Sequence, residues 1–133
     1  MAKNVRANKT SAARARDLDV EIRFLEGLAA RDAHWIDALK LLGDSYTRRG
    51  RVQDGLRIDE ELARLCPDDA LVFYNLACSL ALAERFSDAF DALHRAFALG
   101  YHDFKWLAKD PDLAKLRRQP AYKEFLARFG VAK

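Results

Sequence analysis

Leu39-Lys40-Leu41-Leu42-Gly43-Asp44-Ser45-Tyr46 returns 34 residues later as Phe73-Tyr74-Asn75-Leu76-Ala77-Cys78-Ser79-Leu80. At that offset Leu39 falls on Phe73, Leu42 on Leu76, Gly43 on Ala77 and Tyr46 on Leu80, so large apolar residues replace large ones and small replace small. The match continues downstream, with Arg51 on Arg85, Val52 on Phe86, Asp54 on Asp88, Gly55 on Ala89, Leu62 on Ala96 and Leu65 on Leu99. Apolar spacings of three and four place each stripe on one helix face, so the repeating unit is a pair of helices.

Working outward, the spacing predicts a helix from about Trp35 to Arg49, with Asp32 placed to cap its start and Gly50 to stop it. A second spans Val52 to Leu65, with Pro67 blocking its continuation. Asp68 and Asp69 cap a third, Ala70 to Ala83, whose apolar residues on nearly every side put it at the centre of the domain. A fourth runs from Phe86 to Gly100. Upstream, Leu18, Ile22, Leu25 and Leu28 form the stripe of a helix that starts near Asp17, behind Asp17, Asp19 and Glu21. Residues 1–16, whose apolar content is mostly alanine, read as a disordered basic arm. No segment alternates polar and apolar residues over strand length, and the expected fold class is all-α.

A 34-residue helix pair with a bulky residue, Leu-Gly and then Tyr, later a small residue and finally Pro resembles the tetratricopeptide repeat family. Leu39, Leu42, Gly43, Tyr46, Gly55 and Pro67 stand at those places, while the second unit departs by ending in Tyr101. Leu99-Gly100-Tyr101, Asp110-Pro111-Asp112-Leu113, Leu116-Arg117 and Pro120-Ala121-Tyr122 resemble an ending common in small bacterial members. The resemblance implies an α-solenoid of antiparallel helix-turn-helix repeats with helical caps. It divides residues 17–129 into a capping half-repeat (17–31), repeats at 36–69 and 70–103, and degenerate C-terminal capping helices (104–129), with a tail at 130–133. Two stacked units and their caps can bury faces that a lone unit would expose.

Composition narrows the function. The net charge of +3 resides in the N-terminal arm: Lys3, Arg6, Lys9, Arg14 and Arg16 precede the first acid, Asp17, and leave the rest of the chain at about −2. A basic patch on a folded domain, the usual footprint of sequence-specific DNA binding, is not expected. Two cysteines, Cys66 and Cys78, and no apolar leader point to a reducing, cytoplasmic setting. No stretch approaches the roughly 18 consecutive apolar residues of a membrane span.

Chemical signatures are absent. The six glycines form neither a dinucleotide turn nor a phosphate loop, and there is no Cys-x-x-Cys, His-Glu-x-x-His or Gly-x-Ser-x-Gly. His34, His94 and His102 are far apart in sequence and suit solvated or capping roles. Glu60 and Glu61 are adjacent, point apart and form a solvated face. No catalytic residue, metal site or cofactor is expected.

The resemblance implies a protein-binding adaptor or scaffold, because the first helix of each hairpin lines a concave groove that takes a peptide or helix. It places Asp37, Lys40, Asp44 and Arg48 from the first unit, and Tyr74, Asn75 and Cys78 from the second, in that groove. Chaperone-binding members grip a terminal carboxylate with five donors; Lys40, Asn75, Lys105 and Lys109 match four, but Asp44 at the fifth would repel the ligand. A mixed-charge groove for a charged peptide or helix is the better expectation. The alternative is a factor held to nucleic acid or an acidic surface by weak, nonspecific contacts of residues 1–16. Self-association through the end caps is a further expectation.

Overall fold

The computed structural model describes residues 10–129, and they are all-helical. Eight α-helices follow one another: α1 (Ser11–Arg31), α2 (Ile36–Arg48), α3 (Val52–Leu65), α4 (Ala70–Leu82), α5 (Phe86–Ala98), α6 (Phe104–Leu107), α7 (Ala114–Arg117) and α8 (Ala121–Arg128). A 3-10 turn at Pro111–Leu113 leads into α7. None of the described helices is long and apolar enough to cross a membrane.

The two central hairpins share their backbone detail. α2 and α4 start and end 34 residues apart. At the turn after α2, Arg49, Gly50 and Arg51 N–H donate to the Ser45, Thr47 and Tyr46 carbonyls; after α4, Ala83, Glu84 and Arg85 donate to Ser79, Ala81 and Leu80. The middle residue of this turn has positive φ, +86° at Gly50 and +62° at Glu84. Arg51 then pairs with Asp54, and Arg85 with Asp88.

Close approach explains the small residues. A Cβ on Gly43 would lie 3.0 Å from Asp59 Oδ1 and 3.3 Å from Ile58 Cγ2, and one on Gly55 would lie 2.8 Å from Thr47 Oγ1. The equivalents Ala77 and Ala89 are fully buried, so the second hairpin accommodates one methyl at each crossing. As expected, α4 lies between neighbours, packed on α3 and α5.

The disordered reading of residues 1–16 is corrected over residues 11–16, which form the opening turns of α1; residues 1–9 and the tail at 130–133 lie outside the described residues. Thr10 Oγ1 accepts the Ala13 N–H at 3.0 Å and caps the helix. Alanine-rich turns bury little, but they extend a helix cheaply once its apolar half is docked. Ile22 and Leu25 dock against Leu42 and Tyr46. Polar links fasten the same interface: Ser45 to Glu21 at 2.9 Å, Arg49 to Asp19 at 2.9 Å, and the Tyr46 hydroxyl to Glu26.

Two capping expectations also change. Asp32 Oδ1 accepts from His34 N–H in a local turn, and α2 begins at Ile36, behind Trp35, without a side-chain cap. Asp69 alone caps α4, accepting from Leu71 and Val72. At the far end, α6 to α8 close over α4 and α5. Phe125 is buried against Phe90, Phe97, His94 and Phe129, and Leu107, Leu113 and Leu116 are buried with it. Arg117 Nη1 donates to the carbonyls of Leu107 and Asp110 at 2.9 and 2.8 Å, joining the cap segments.

Candidate functional site

A cleft of about 320 Å³ opens between α2 and α4, with α3 behind it and the C-terminal cap along one side. Three of the expected residues, Lys40, Asp44 and Asn75, line it and are exposed. Lys40 and Asp44 come from α2 and Asn75 from α4, the two helices that start and end 34 residues apart.

Tyr74 and Cys78 also border the cleft but are buried, at 3% and 7% exposure. The reason is Asp110, a residue of the cap. The Tyr74 hydroxyl donates to Asp110 Oδ2 at 2.7 Å, and the Cys78 thiol approaches the same oxygen at 3.6 Å. Tyr101 stacks on Tyr74 with ring centroids 4.2 Å apart. These two residues hold the cap and present little surface to the cleft they border.

The remaining expected residues lie elsewhere. Asp37 is exposed in the first turn of α2 and does not line the cleft. Arg48 pairs with Asp44 at 3.6 Å and lines a separate, open recess beside α1. Lys105 is exposed on α6, away from the cleft lining, as is Lys109 beyond that helix. Lys40 Nζ is drawn to Asp69 Oδ2 at 3.3 Å. The four donors that matched a carboxylate grip therefore do not converge. Of the cations of the basic arm, Arg14 and Arg16 belong to α1, and Lys3, Arg6 and Lys9 lie outside the described residues.

Asp59, Ser79, Asp110, Asp112 and Trp106, which were not expected in the groove, also line the cleft. Asp59, on α3, accepts the Ser79 hydroxyl of α4 through Oδ2. Its Oδ1 accepts no hydrogen bond among the described residues yet is not sealed from solvent, so it opens on the cleft. Burial pushes the Asp59 carboxyl up to about 6, with the Ser79 hydrogen bond opposing the rise and the charge of Asp44 adding to it. Asp112 is raised by burial and then by the charges of Asp110 and Asp44. A phase signal marked Asp59 in advance: it falls three residues after Leu56 and three before Leu62, an acid on an apolar stripe.

Cys78, Asp110 and Asp112 bring a thiol and two carboxylates within 4.8 Å of one another. Burial and the two aspartates push the Cys78 thiol well above its ordinary value, so it keeps its proton. Asp110 is already occupied, by Tyr74 and Cys78 at Oδ2 and by the Asp112 N–H at Oδ1. The trio is a hydrogen-bonded latch with one outward carboxylate, Asp112.

No family model matches the chain. Over 90 residues, 65% of its length, it is 30% identical to a chloroplastic protein of Arabidopsis thaliana. That match spans 27% of the relative, little more than a quarter of its length.

Proposed function

We propose that the chain is a tetratricopeptide-type repeat domain, a short α-solenoid, that acts as a cytoplasmic adaptor or scaffold and catalyses no reaction. A peptide or helical segment of a partner protein lies in the cleft between α2 and α4. The observation that carries the reading is the matching pair of hairpins, equal in first-helix bounds and turn hydrogen bonds, whose first helices both face one concave cleft. Lys40, Asp44 and Asn75 give that cleft exposed donors and an acceptor without interrupting the core beneath.

An affinity capture tests it, with wild type and an Asp44→Arg/Asn75→Arg variant as paired baits. Both side chains are exposed, so the variant keeps its fold. Partners recovered by wild type and lost from the variant are the expected result. Equal recovery by both baits would place binding outside the cleft.

A further inference from the structure

Among the described residues, the cleft is lined by four carboxylates, Asp44, Asp59, Asp110 and Asp112, and by one cation, Lys40. That cation is engaged with Asp69. Arg48 is a second basic group near Asp44, but at 3.6 Å between two side chains 60% and 64% exposed it compensates little. Asp112 directs no carboxylate oxygen to any donor among the described residues, while its backbone N–H is held by Asp110 Oδ1. Asp59, 7% exposed, lines the cleft beside Gly43, and its Oδ1 accepts no hydrogen bond among the described residues. Asp44 raises both Asp59 and Asp112, so the three carboxylates share one field, which the exposed Arg48 beside Asp44 offsets only in part. At the rim, Trp106 is 41% and Leu71 55% exposed, far more than the core side chains around them.

We infer that the cleft takes a lysine or arginine side chain from a basic segment of the partner, its cationic head between Asp44, Asp59 and Asp112 and its flank against Trp106 and Leu71. This deepens the proposed function and rests on it. An acidic floor beneath an aromatic and aliphatic rim matches a side chain with an apolar stem and a charged end. Trp106 gives the cation a ring face as well as a carboxylate. At about 320 Å³ the cavity is at the small end of ligand pockets, suited to one long side chain with extended backbone at its mouth. The charge balance also argues against an acidic terminus as occupant, since each carboxylate of the floor would repel it.

The test uses the full chain and a fluorescein-labelled Arg-Leu-Lys-Leu-Arg peptide, with two analogues that carry Gln or Glu at every basic position. Fluorescence anisotropy at moderate salt is expected to give binding of the basic probe at least about tenfold tighter than of either analogue. Asp44→Asn/Asp112→Asn, two partly exposed substitutions, should weaken it about tenfold, and Trp106→Ala a few fold. Asp91→Asn/Glu124→Gln removes the same charge away from the cleft and should leave affinity unchanged. Equal binding of the Gln analogue, or equal loss from the two double variants, overturns the inference. Failure of the basic probe while a photocrosslinker at Asn75 still captures a partner segment overturns the cationic class alone; failure of both overturns the adaptor reading with it.

Discussion

The Tyr74 hydroxyl of α4 donates to the buried carboxylate of Asp110, 36 residues further along the chain, at 2.7 Å. This bond ties the central helix to the C-terminal cap and forms the inner wall of the cleft. Burial, above all, holds the Tyr74 phenol far above its ordinary value, so it stays a donor at every physiological pH. Tyr74→Phe removes one hydrogen bond to a charged acceptor and should cost about 2 kcal/mol in urea unfolding. Asp110→Ala strands the buried phenol as well and should cost at least as much, with a coupling energy in the double-mutant cycle.

Asp59 gives the protein a pH signature. Its carboxyl is raised from 3.8 in the unfolded chain to about 6 in the fold, so the folded state holds the extra proton between those values. Stability from this group is therefore present below about pH 4 and is lost as pH rises through 6. At about 1.4 kcal/mol per pH unit the ionised group disfavours folding by about 3 kcal/mol at neutral pH. Asp59→Asn can still accept the Ser79 hydroxyl, so it should be the more stable protein at pH 7.5, above the titration range, and lose that advantage at pH 3.5, below it. Denaturant midpoints at the two values check it; a variant less stable than wild type under the alkaline condition would show that the carboxylate is stabilising.

Gly43 should tolerate no branched side chain. A Cβ there already presses on Asp59 Oδ1 and Ile58 Cγ2, so Gly43→Val forces α2 away from α3 at a cost of about 2 kcal/mol or more. Ala77→Gly at the equivalent position of the second hairpin should cost about 1 kcal/mol, the helix propensity and one buried methyl. Paired thermal melts would separate the two.

Phe125 anchors the cap by contacts with Phe90, His94, Phe97 and Phe129. Phe125→Ala should cost about 3–5 kcal/mol. Because α8 closes over α5, amide exchange in α6 to α8 should accelerate more than in α1 to α3.

The helical class and the helix bounds from Ile36 to Ala98 were legible because apolar period and stop residues agree there: Gly50, Pro67 and Gly100 each end a stripe where the structure ends a helix. The start of α1 was not, since Ser11–Arg16 bury little and owe their helix to the Thr10 cap and to continuity with Ile22 and Leu25. Lys40, Asp44 and Asn75 line the cleft, and the 34-residue offset in the sequence had placed them on equivalent helices. Tyr74 and Cys78 also border the cleft, but their link to the cap was not legible, because no local pattern connects Asp110 to α4. Trp106 and Asp112 come from the irregular cap, whose path is set by long-range packing.

The occupant of the cleft is tested most directly by a photocrosslinking residue introduced at Asn75, with the same residue at exposed Ser87 on α5 as the comparison, in full chain expressed in its native host. The expected result is a crosslink from Asn75 to one partner segment rich in lysine or arginine, with none from Ser87. The same products from both positions, or none from Asn75, would contradict a cleft-binding adaptor.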